Sequence, residues 1–77
     1  MKAYVLIAAQ MGTIAEIVHD LRRLESVRQA EMTFGPYDVI AEVEADSLPA
    51  LGTVIRQQIQ TIPGVNETMT CVAVHVD

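Results

Sequence analysis

Residues 2–9, Lys-Ala-Tyr-Val-Leu-Ile-Ala-Ala, are apolar on both sides of an extended chain. Successive side chains of a strand point to opposite faces. Ala3, Val5, Ile7 and Ala9 therefore share one face, and Tyr4, Leu6 and Ala8 the other. A strand of this kind belongs inside a sheet and needs cover on both sides. The demand is severe in a chain of 77 residues, because a domain of that size buries only roughly 60% of its unfolded surface.

The rest of the chain shows what cover is available. Gly12 ends the first strand, and Thr13-Ile14-Ala15-Glu16 reads as a capping box. Ile14, Ile17, Val18, Leu21 and Leu24 then make one face of an amphipathic helix over about residues 13–24, with Glu16, Asp20, Arg22 and Arg23 opposite. Val27 to Phe34 reads as a second strand, and Gly35-Pro36 as a turn. Residues 37–45 alternate, with Tyr37, Val39, Ala41, Val43 and Ala45 against Asp38, Ile40, Glu42 and Glu44. Asp46 or Ser47 can cap a second helix, with Pro49 in its first turn. Leu48, Leu51, Ile55, Ile59 and Ile62 line one side of it, and Pro63-Gly64 stops it. Residues 65–76 form a last β-rich segment. The order βαββαβ predicts one α+β domain over residues 1–77. It is a ferredoxin-like sandwich: a four-stranded antiparallel sheet, first and third strands central, two helices on one face. The second sheet face has no cover within one chain. The simplest cover is another subunit, so the domain is expected to be dimeric through that face.

Composition points the same way. Hydrophobic residues make up 51% of the chain, and Cys71 is the only cysteine. No disulfide can stabilise the monomer, and no Cys/His cluster suggests a structural zinc, which leaves oligomerisation. The net charge is −5, with Lys2, Arg22, Arg23, Arg28 and Arg56 scattered. No basic stripe offers itself to phosphates, and Tyr4, Phe34 and Tyr37 make no base-stacking platform, so direct nucleic-acid binding is not expected. The apolar runs fall far short of the roughly 20 residues that span a bilayer. No membrane association and no signal peptide are expected, and a cytoplasmic location is the default.

Few residues suggest chemistry. His19 and His75 have no partner at a metal-ligand spacing and read as ordinary histidines. Cys71 reads as a small buried packing residue. Met11, Met32 and Met69 also read as packing. Glu42 and Glu44, sharing a face with Asp38, offer carboxylates but read as strand surface or interface charge. Gly35-Pro36-Tyr37-Asp38 leaves two readings open. Asp38 can cap backbone donors of a tight hairpin, or Tyr37 and Asp38 can present a ring, a hydroxyl and a carboxylate at a pocket mouth. Thr68 and Thr70, on one face of the last strand, are either ligand hydroxyls or good β-formers.

Taken together, Gly35-x-Tyr37-Asp38, the helix ending Ile62-Pro63-Gly64-Val65, Thr68-x-Thr70 and the opening Ala-Tyr-Val-Leu-Ile resemble the effector-binding (RAM) domain of the Lrp/AsnC regulators over nearly all the chain. The resemblance implies a stand-alone form, since the family's helix-turn-helix domain is not seen before the first strand. It implies dimers that pack sheet to sheet, octamer-like rings built from them, and a small effector, typically an amino acid, bound between dimers. It places Gly35, Tyr37, Asp38, Thr68 and Thr70 at the ligand. Asp38 would take the ammonium and Thr70 the carboxylate. A full-length Lrp/AsnC regulator is a further expected partner, and no cofactor or metal is expected. Three functions differ in what they need. An amino-acid-binding module needs only the pocket. A small cofactor-independent enzyme of the dimeric barrel type needs a catalytic cluster facing a cavity, which the sequence does not display, so no enzymatic activity is expected. A purely structural assembly module needs neither.

Overall fold

The computed structural model describes residues 1–76. Four strands, β1 (Lys2–Ala9), β2 (Val27–Met32), β3 (Val39–Glu44) and β4 (Val65–Val72), are joined by two helical segments, one after β1 and one after β3. Helix α1 spans Ile14–Arg22 and α2 spans Leu48–Val54. The sheet order is β2-β3-β1-β4, antiparallel throughout, so β1 and β3 are central as the sequence predicts. The ferredoxin-like βαββαβ arrangement is present. The elements are shorter than the sequence patterns at β2, β3, β4 and both ends of α1, because apolar alternation runs on past the last paired residue.

One sheet face holds the core. Ala3, Val5 and Ile7 of β1 and Val39, Ala41 and Val43 of β3 are fully buried against Ile17 and Leu21 of α1 and Leu51 of α2. Among the described residues no polar side chain is buried. The other face is open. Tyr4 and Met69 are exposed, and Leu6, Ala8 and Ile40 half-buried.

Two local features depart from the sequence pattern. Thr13 does precede α1, but its side chain makes no cap bond to the helix. Its backbone lies near φ −109°, ψ −1° instead of the extended geometry of a capping residue. Its hydroxyl donates instead to the Gln10 carbonyl at 2.7 Å. Gly64 presses on the same side chain. At φ 95°, it leaves no room for a Cβ, which would land on Thr13. Ser47 caps α2 as expected, accepting from the Ala50 N–H at 3.2 Å. Beyond Val54 the helix widens into a π-turn over Ile55–Ile59, closed by Gln60 N–H to the Ile55 carbonyl at 2.8 Å. The wider turn keeps Val54, Ile55, Ile59 and Ile62 all on the core. Leu48, expected on that face, is exposed.

Candidate functional site

The hairpin between β2 and β3 is built from the residues that the sequence singles out. Thr33 N–H donates to the Asp38 carbonyl at 2.9 Å, and the Thr33 hydroxyl to the Tyr37 carbonyl at 2.8 Å. Asp38 N–H donates to the Ile7 carbonyl at 2.9 Å, which ties the hairpin to β1. The Asp38 carboxylate then accepts the Ala9 N–H through Oδ2 at 2.8 Å. That donor lies past Ile7–Val39, the last pair of the β1–β3 ladder, and so needs a partner outside it. Of the two sequence readings of Asp38, capping a backbone donor is therefore present, and Oδ1 remains for other contacts.

Tyr37 is half-buried, and its hydroxyl reaches Met69 Sδ on β4 at 3.6 Å. Gly35 and Tyr37 line an open cleft of about 200 Å³ with Leu6, Phe34 and Ile40. A second cleft of about 270 Å³ adjoins it on the same sheet face, sharing Thr33 and Ile40 and adding Tyr4, Gln29 and Glu42. Gly35 itself faces open space, with nothing within 4 Å of where a Cβ would stand. Near Tyr4 the Lys2 ammonium sits 5.5 Å from the ring centroid. The Tyr4 phenol, and then Glu42 and Glu44, hold that ammonium above its usual value.

Thr68 and Thr70 lie elsewhere. They pair with Ile7 and Val5, so they share the helix-covered side of the sheet, at its edge. Thr68 accepts from Gln60 Nε2 at 2.9 Å. Thr68 and Asp38 flank β1 at Ile7 from opposite sides, about two strand spacings or 10 Å apart. One chain thus brings Gly35, Tyr37 and Asp38 together at one end of the sheet, with Thr68 nearby and Thr70 further off. No single cleft unites all five.

Several side chains are placed differently from expectation. Cys71 is exposed, not buried. Its strand is at the sheet edge, and Cys71 pairs with Tyr4 on the open face. Met11, Met32 and Met69 are exposed as well, Met11 at 94%. Sequence reasoning also passed over Gln60 and Phe34. A glutamine two residues before the last core isoleucine gives no signal of its own. Phe34 reads as the end of a strand, yet its ring is fully exposed at the hairpin tip. A larger cleft of about 410 Å³, lined by Glu25, Arg28, Glu44 and Asp46, lies at the other end of the sheet and holds none of the predicted site residues. Its Arg28–Glu44 pair, at 3.5 Å, is an exposed surface bridge. Among the described residues no group of three His, Cys, Asp or Glu is placed to hold a metal. No helix there is long and apolar enough to cross a membrane.

Comparison with known proteins gives this arrangement a family. The family described as the Lrp/AsnC ligand binding domain matches residues 2–76. The HTH-type transcriptional regulator FL11 of Pyrococcus abyssi is 29% identical over 72 residues, covering 94% of this chain. The chain spans 47% of that regulator's length. The crystal structure of TTHA0845 from Thermus thermophilus superposes with a TM-score of 0.92 at 28% identity, covering 99% of this chain and 95% of that one. AsnC of E. coli superposes with a TM-score of 0.91 at 25% identity, covering 97% of this chain and 51% of AsnC. FL11 is described as a transcriptional regulator. On its sequence and its fold together, the chain belongs to the Lrp/AsnC ligand-binding domain family.

Proposed function

We propose that the chain is an amino-acid-binding and assembly module that acts with Lrp/AsnC regulators in the cytoplasm. It dimerises through the open sheet face, and its dimers associate further into rings. The observation that carries this reading is the match of residues 2–76 to a ligand-binding domain whose open face is apolar at Leu6, Ile40 and Met69. The distribution of the five expected site residues supports a pocket completed by a neighbouring chain. Gly35, Tyr37 and Asp38 gather at one end of the sheet while Thr68 and Thr70 occupy its β4 edge. An amino acid placed there has the free Oδ1 of Asp38 for its ammonium and threonine hydroxyls with edge N–H groups for its carboxylate. Partnership with a full-length regulator follows from shared faces, since AsnC carries the same fold within a longer chain.

The test is calorimetric titration of the chain with each of the twenty amino acids, with thermal denaturation alongside. Saturable heat with one or a few of them, and a rise in melting temperature for those same ones, is the expected result. No heat and no shift with any of the twenty leaves an assembly module without an amino-acid effector.

A further inference from the structure

Gln60 stands where the second helical segment ends, and it touches one of the expected site residues. Its N–H closes the π-turn over Ile55–Ile59 on the Ile55 carbonyl at 2.8 Å. Ile59 before it and Ile62 after it are buried in the core. Backbone and neighbours thus fix the point from which the Gln60 side chain leaves. It crosses to β4, where Nε2 donates to the Thr68 hydroxyl at 2.9 Å. π-turns are rare within α-helices and recur at functional sites. Here the turn delivers one amide to one hydroxyl. The direction of that bond decides what Thr68 can do. A threonine hydroxyl carries one proton and two acceptor lone pairs. The Gln60 amide occupies a lone pair, which leaves the proton for another partner. Among the described residues no acceptor takes that proton, and Thr70, two residues further along the strand, has no orienting partner of this kind. Thr68 is half-buried and Thr70 exposed, so the better shielded of the two hydroxyls is the oriented one.

We propose that Gln60 is a positioning residue for carboxylate recognition: by donating to Thr68 it turns that hydroxyl into a donor aimed at the ligand, so the β4 edge selects a free α-carboxylate over the corresponding amide. The inference rests on the amino-acid reading above and assigns part of its specificity to a residue outside the G-x-Y-D and T-x-T motifs. An ionised carboxylate only accepts, and a hydrogen bond to it is roughly twice as strong as one between neutral groups. A hydroxyl already held as a donor meets it without having to give up another orientation. A primary amide carries donors as well as an acceptor, so it gains from a hydroxyl that is free to turn either way. Gln60 removes that freedom, and the anion is the species that benefits.

The experiment is calorimetric titration of the full chain, wild type, Gln60→Ala, Thr68→Val and the double variant. The probes are the twenty free L-amino acids and their primary amides. Gln60 is exposed and valine matches threonine in shape on a strand, so all three variants fold, which circular dichroism checks. Gln60→Ala weakens binding of the free amino acid about 3- to 10-fold, the worth of one ordinary hydrogen bond, and leaves the amide unchanged. Thr68→Val weakens the free amino acid about 10-fold or more. In the double variant the loss is that of Thr68→Val alone, because Gln60 acts only through the hydroxyl. Wild-type affinity and wild-type preference in Gln60→Ala overturn the inference and leave the amino-acid reading standing. So does an equal loss for acid and amide, or a Gln60→Ala loss that persists once Thr68 is valine, because Gln60 then acts without Thr68. A wild type that binds none of the twenty amino acids overturns the amino-acid reading itself, and this inference with it.

Discussion

Asp38 shows how one side chain serves the fold and can still serve a ligand. Its Oδ2 accepts the Ala9 N–H, a donor just past the end of the β1–β3 ladder. Alanine removes that acceptor as well as the charge. Asn keeps an oxygen for the N–H and loses only the charge. The two substitutions therefore separate the roles. Asp38→Ala is expected to lower stability by about 1–3 kcal/mol, the usual cost of leaving a shielded donor without its acceptor. Asp38→Asn should cost less than half of that by urea denaturation. If Asp38 also holds an effector ammonium, Asp38→Asn weakens amino-acid affinity about 10-fold or more. Equal affinity in wild type and Asp38→Asn makes Asp38 a turn residue only. Gly64 makes a second prediction at this scale. Its φ is 95°, and a Cβ at that position would collide with the Thr13 side chain. Gly64→Ala is therefore expected to be destabilised by about 1–3 kcal/mol in the same measurement.

At the scale of elements, the two helix starts behave differently although both read as caps. Ser47 accepts from the Ala50 N–H, so Ser47→Ala is expected to cost about 1 kcal/mol. Thr13 makes no such bond to α1, so its contribution lies in the Gln10 turn and the Gly64 contact, and no capping loss accompanies its removal. Paired denaturation curves with helix content followed by circular dichroism check both. The contrast also marks what the sequence could convey. Periodicity located both helices and all four strands, because Ile17, Val18 and Leu21, or Val39, Ala41 and Val43, must face one core whatever the details. It did not reveal the π-turn, because isoleucines at 55, 59 and 62 are as compatible with an α-helix as with the wider one that Gln60 closes. Nor did it place Cys71. The expected topology already put β4 at an edge, but alternation within β4 does not say that the Cys71 side is the open one. The G-x-Y-D hairpin was legible as a unit. The separation of Thr68 and Thr70 from it was not, because that depends on register across β1.

At the scale of the whole molecule, the open sheet face is the unfinished part. β1 is fully buried on its Ala3-Val5-Ile7 side, while on the other Tyr4 stays exposed and Leu6 half-covered. At about 25 cal/mol per Å² of apolar surface, covering that face is worth several kcal/mol, comparable with the net stability of a small domain. Dilution should therefore lower thermal stability as the assembly dissociates. The most direct test of the account is the mass of the folded chain in solution, read by multi-angle light scattering over a dilution series with circular dichroism on the same samples. The account predicts a folded species of at least twice 8.4 kDa at micromolar concentration. A folded 8.4 kDa monomer there, with its sheet face open to water, would contradict it.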